Sequence, residues 1–221
     1  MDPIFKDAAR TRMDAFVDAA FAFAVTLLIV AGAQPLASMS GLWEALANIP
    51  AAFAAFCLIS LFWLAHRAFG RICTEREGPS LMISLAIVFT VLVYVFPLRL
   101  MMQSGFYWAS GGRLPGDGLI RSFADLTALY QIYGVGFALL SALYLLLFLR
   151  ALKLAPNPEI RDEALSNADA WAVCMAMGLV SAALAAVPLG KVSWIPPLAY
   201  SAIPILILTT SLMRRRAAKG G

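Results

Sequence analysis

The chain has 221 residues, 62% of them hydrophobic and 14% charged, with a formal net charge of +4. Soluble domains are only about half apolar, so an ordinary soluble domain is excluded. The basic residues flank apolar runs instead of forming one patch, which points to membrane topology and away from nucleic acid.

Met1 to Arg12 is too polar for a signal peptide and leads directly into a full-length apolar run. Six membrane-spanning helices follow, each near the roughly 20 residues that a bilayer requires. They are expected at about 13–33, 46–70, 80–104, 119–151, 163–188 and 193–213. Gln34-Pro35 ends the first and Pro188-Leu-Gly190 the fifth. Pro97 falls near the far end of the third, and the fourth opens on a polar turn with Arg121 and Asp125. Pro196, Pro197 and Pro204 fall in the sixth, where neighbouring helices must cover the freed carbonyls. The longest linker, 105–118, is rich in turn residues, and 154–162 is short and polar. Neither can fold alone, so residues 1–221 read as a single all-α membrane domain. No repeat relates its two three-helix halves.

Thirteen lysines and arginines collect on one side of this arrangement: Lys6, Arg10, Arg12, Arg67, Arg71, Arg76, Arg150, Lys153, Arg161, Arg214, Arg215, Arg216 and Lys219. The other side has four: Arg99, Arg113, Arg121 and Lys191. The bias predicts cytoplasmic termini and a multi-pass protein of the cell (inner) membrane. Trp43, Trp108 and Trp194 then fall at the outer interface.

The first span carries Asp18 a few residues inside a helix surrounded by lipid. An ionised side chain near a helix centre costs roughly 3 kcal/mol on insertion scales, and less near the ends. Asp18 therefore faces protein or water. Asp14 shares its stripe, with Arg10 one step earlier as an ion-pair partner for Asp14. Phe23, Leu27 and Val30 follow i, i+4, i+7 spacing and define one apolar face, which fits either a pathway or ordinary packing. Alanines 19, 20, 22 and 24 allow close helix approach.

In the second span, His66 is the only histidine of the chain and lies one turn from Trp63. It reads either as a buried partner of Asp18, which would make the pair respond to pH, or as an interfacial residue. Cys57, Cys73 and Cys174 are far apart with no metal-ligand spacing, so no metal or cofactor is expected. Tyr130, Gln131 and Tyr133 are candidates for hydrogen bonds between helices. Asp169 reads as an interfacial charge, and Arg214 to Arg216 as an anchor for acidic lipids.

The pattern Arg12-x3-Phe16-x-Asp18-x2-Phe21-Ala22-x-Ala24-x-Thr26-Leu27-Leu28 resembles the first-helix signature of the transmembrane protein 175 family. These are the endolysosomal potassium channels and their prokaryotic relatives. Phe62-Trp63-Leu64-Ala65-His66-Arg67-x-Phe69 is similar to the family's second-helix stretch. The resemblance implies a homotetramer of six-helix subunits, with first helices around a central pore. It implies an apolar constriction at Phe23, then Leu27 and Val30. It implies a polar network of Arg12, Asp18, Trp63 and His66, and K+ as the permeant ion. The sequence departs from the family pattern twice. Val17 stands at the motif serine, and Phe23 stands at the constriction isoleucine. Four phenyl rings around one axis either plug it or offer π faces to a dehydrated cation, worth about 1–2 kcal/mol each.

Two functions remain open at this stage. One is a potassium-preferring cation channel that selects by ion dehydration at a hydrophobic constriction. No Thr-Val-Gly-Tyr-Gly filter is present, which excludes a carbonyl-cage filter of that kind. The other is a non-conducting membrane scaffold or sensor whose axis Phe23 seals. No Gly-x-Ser-x-Gly, His-Glu-x2-His or paired intramembrane aspartate motif supports an enzyme. No repeated pair of broken helices supports a carrier.

Overall fold

The structure is a computed structural model describing residues 3–30, 38–73, 78–116, 118, 120–187 and 195–220. The side chains of 1–10 and 215–221 lie outside the description.

The described elements are helical throughout: α1 Pro3–Val30, α2 Met39–Ala47, α3 Ile49–Ile72, α4 Gly78–Ala109, α5 Phe123–Leu154, α6 Pro158–Ala186, α7 Ile195–Leu198 and α8 Ile203–Gly220. Six stretches are long and apolar enough to cross a membrane, and the chain is a multi-pass membrane protein. α1 packs on α3 and α4, α4 on α5, and α5 most extensively on α6.

Local chemistry moves several boundaries from their expected places. The second span starts at Ile49, after a separate helix α2. Ser38 caps α2 by accepting from the Gly41 N–H at 3.1 Å, and Pro50 at the start of α3 lacks the N–H a continuous helix would need. The third span runs on to Ala109, through Pro97. The polar turn before α5 is a cap. Ser122 Oγ accepts from Asp125 N–H at 3.2 Å, while Asp125 Oδ2 accepts from Ser122 Oγ at 2.8 Å and from Arg121 N–H at 3.0 Å. α6 begins at Pro158, five residues before the expected start at 163, because Asn157 Oδ1 accepts from Ile160 N–H at 2.9 Å. The sixth span is broken, with a 3-10 turn, Ala199–Ala202, separating α7 from α8. The expected end of the first span at 33, with Gln34-Pro35, lies outside the described residues, as do Pro188-Leu-Gly190 and Trp194.

Helices α5 and α6 approach almost backbone to backbone. A Cβ placed on Gly134 would lie 2.9 Å from Gly178 O, and one on Gly178 would lie 2.9 Å from both Ala138 N and Gly134 O. Ala138 and Ala182 extend each glycine into a small-x3-small pair, the pattern by which helices meet closely in lipid.

Aromatic groups fill the junction of α3, α5 and α6. Tyr144 stacks on Trp171 with centroids 4.5 Å apart, and its hydroxyl donates to Phe62 O at 2.5 Å. A second tyrosine, Tyr94 on α4, donates to Tyr133 O on α5 at 3.0 Å. A buried phenol needs such an acceptor, since no water reaches it. Asn48 Oδ1 accepts from Gln103 Nε2 at 2.9 Å, which ties the start of α3 to α4.

Candidate pore helix and its polar anchor

α1 has two faces. Val17, Phe21, Ala24 and Leu28 are almost wholly buried against the subunit core. Their i, i+4, i+7, i+11 spacing makes them one stripe. Directly opposite, Ala15, Ala19, Ala22, Thr26 and Val30 are exposed. Thr26 Oγ1 donates to Ala22 O at 3.1 Å, so this hydroxyl is satisfied within the helix.

The three residues expected at a constriction do not share one environment within a subunit. Phe23 is 56% and Val30 59% exposed, whereas Leu27 is half-buried at the flank of the core. Any convergence of the three must come from other copies. Thr26 lies nearer the centre of the bare face than Leu27 does. The sequence carries that signal, because Thr26 sits half a helical turn away from the buried stripe.

The cytoplasm-facing end of α1, as the charge bias orients it, is anchored sideways to α3. Trp63 Nε1 donates to Asp18 Oδ1 at 2.7 Å. The Arg67 guanidinium carbon lies 4.9 Å from the centroid of the Trp63 ring. His66 is buried, and its Nε2 is 3.0 Å from Ser84 Oγ on α4. The imidazole thus sits within hydrogen-bonding distance of a hydroxyl on α4, while the indole holds the carboxylate. His66 and Asp18 nonetheless share the wall of a small cavity of about 150 Å³, together with Asp14, Arg67, Gly70 and Arg71. Such a volume admits on the order of five waters. Two acidic and two basic residues line it, so Asp18 is not stranded in hydrocarbon. Arg12 is exposed and is not part of that wall. The expected Arg10–Asp14 pair involves a side chain outside the described residues. Asp14 and Arg71 were not among the expected network residues. The signal was available, since Arg67 and Arg71 repeat the four-residue spacing of Asp14 and Asp18.

At the same end, Arg214 forms an ion pair with Asp169 and donates to Leu165 O at 3.2 Å. Arg214 is therefore a clamp of α8 on α6 instead of a free lipid anchor, and Asp169 is half of that clamp. Among the described residues, no three His, Cys, Asp or Glu side chains could together hold a metal ion.

Residues 12–97, which hold α1 from the motif arginine through most of α4, match the model of the family described as endosomal/lysosomal potassium channel TMEM175. The matched stretch takes in the first two spans and most of the third. A potassium channel from Marivirga tractuosa is 28% identical over 156 residues, covering 68% of this chain and 62% of that relative. The match thus spans less than two thirds of the relative's length. The fold superposes with a TM-score of 0.78 on a variant of the potassium channel MtTMEM175, solved with a Nanobody-MBP fusion protein. The superposition covers 93% of both chains at 20% identity, a likeness of fold. The TMEM175 match contains Arg12, Phe16, Asp18, Trp63 and His66, so the anchor of α1 lies within it.

Proposed function

We propose that this chain is a potassium-preferring cation channel of the cell membrane, formed by four copies whose α1 helices surround a common axis. Phe23, Leu27 and Val30 form its hydrophobic constriction, Thr26 faces the same passage, and selection arises from the cost of stripping water from the ion at the apolar ring. The observation that carries this reading is the two-faced α1. Its buried stripe is complete within one subunit, its opposite face is bare from Ala15 to Val30, and Asp18 is held off that face by Trp63. Support also comes from the TMEM175 match and from the two relatives, both named as potassium channels. The lysine and arginine bias supports cytoplasmic termini for this channel.

A second reading is a sealed, non-conducting assembly acting as a scaffold or sensor. The bulk and exposure of Phe23 favour it, since four such rings could fill the axis. Potassium flux into liposomes holding the purified protein separates the two. Flux in the wild type, larger for K+ than for Na+, supports the channel. Flux only in Phe23→Ala or Phe23→Ile supports the sealed axis. Flux in none of them overturns the pore.

A further inference from the structure

A cavity of about 730 Å³ lies at the other end of the molecule, between the last turns of α4, the first turns of α5 and the broken sixth span. The sixth span is not a straight helix here: the chain turns through a 3-10 segment at Ala199–Ala202, and Pro204 has no N–H to offer the carbonyl of Tyr200 four residues earlier. No described lining residue is charged. The walls are Met101, Phe106, Leu126 and Pro197, with Ser104 and three tyrosines as the polar groups. Trp108 and Phe123, 66% and 68% exposed, also line it and are placed as interfacial aromatics are. Its size is that of a ligand site.

We infer that this cavity holds an acyl chain of an outer-leaflet lipid. Uncharged walls reject an ionic headgroup and accept a tail. Its exposed lining residues, Trp108 and Phe123, are large and aromatic, so a tail reaches the cavity over apolar surface. None of its described lining residues belongs to α1 or α3. The inference therefore stands or falls separately from the proposed axis.

Gly105 provides the test, because it lines the cavity and a Cβ there meets nothing within 4 Å. The full chain is reconstituted in phosphatidylcholine vesicles carrying a diazirine-labelled acyl chain, then photolysed, and adducts are mapped by peptide mass spectrometry. Adducts are expected on Met101, Phe106 and Leu126 in the wild type and in Gly105→Ala, and their loss in Gly105→Phe. Adducts at the exposed Phe89 and Leu139 should persist in all three. Native mass spectrometry of the wild type should show retained lipid that Gly105→Phe lacks. If Gly105→Phe does not fold, the wild-type measurements decide alone: cavity adducts no stronger than those at Phe89, with no retained lipid, overturn the proposal. A change of oligomeric state in Gly105→Phe would assign the cavity to a second copy and also overturn it.

Discussion

The Trp63 indole N–H donates to the Asp18 carboxylate at 2.7 Å while the face of the same ring lies beneath Arg67. One side chain thus serves an anion at its edge and a cation at its face, as the indole's charge distribution favours. Trp63→Phe removes the edge donor and leaves a face. A hydrogen bond to a charged group is worth about 1.5–3 kcal/mol, reduced toward about 1 where the carboxylate is exposed. The expected result is an unfolding midpoint lower by about 2–4 °C in detergent. Asp18→Ala should cost a similar amount, and Asp18→Asn less, because its amide oxygen still accepts. The double variant Trp63→Phe/Asp18→Ala should cost no more than either single one. Full additivity in calorimetry would show that the bond contributes nothing.

The α5–α6 crossing makes a second prediction with an internal control. Gly134→Ala puts a methyl group 2.9 Å from the backbone oxygen of Gly178, and no side-chain rotation relieves that contact. Overpacking of this kind costs about 1–3 kcal/mol, which exceeds the roughly 0.5–1 kcal/mol that alanine gains over glycine in a helix. Gly105→Ala meets nothing within 4 Å and keeps the gain alone. Thermal unfolding should therefore rank Gly105→Ala at or above wild type, with Gly134→Ala and Gly178→Ala below. Equal midpoints for all three would mean that the helices are not in close contact.

The spans were legible because lipid demands long apolar runs, and a run such as Leu81 to Val95 has no other use. Their ends were less so. The apolar stretch from Leu42 to Phe56 continues through Asn48-Ile49-Pro50, and hydropathy alone merges α2 with α3 there. The break lies in backbone chemistry, namely a proline without its N–H. The same holds at Asn157-Pro158, where a cap starts α6 ahead of its apolar run. Trp63 near Asp18 was legible through the family motif. The Ser84 partner of His66 was not, because Ser84 sits on another helix and nothing in its own neighbourhood marks it. The Arg214–Asp169 pair was hidden for a similar reason, each charge having an adequate interfacial explanation on its own. Convergence of copies at α1, as proposed, would be a property of the assembly, to which one subunit contributes only a bare face.

Arg214 and Asp169 are partly exposed, at 29% and 42%. An ion pair so placed contributes about 0–1 kcal/mol to global stability. Its consequence is local: it fastens the last turns of α8 to α6. Asp169→Asn should leave the unfolding midpoint nearly unchanged while trypsin cleaves faster at Arg214 to Arg216. The exchanged pair, Asp169→Arg with Arg214→Asp, should recover much of the protection. Raising the salt concentration should speed wild-type cleavage toward the Asp169→Asn rate. A midpoint that falls steeply with no change in cleavage would place the pair in the fold's core instead.

The bare face of α1 meets either an aqueous passage or lipid tails, and a charged thiol reagent distinguishes them. Cys57 is exposed and Cys174 partly so, which requires a background in which Cys57, Cys73 and Cys174 are replaced. Single cysteines are then placed at Asp14, Val17, Phe23, Ala24, Thr26, Leu27 and Val30, Asp14 serving as a control on the polar cavity. In proteoliposomes a cationic, membrane-impermeant methanethiosulfonate should modify Phe23→Cys, Thr26→Cys and Val30→Cys, because a thiol ionises and reacts only where water reaches it. Leu27→Cys, half-buried at the flank, should react more slowly. Val17→Cys and Ala24→Cys, inside the subunit, should resist. Modification at Thr26→Cys should also block potassium flux, since it adds a fixed positive charge and bulk within the proposed passage. Silence at all of Phe23, Thr26 and Val30, with reaction at the control residue Asp14→Cys, would mean that lipid covers this face and that α1 lines no passage.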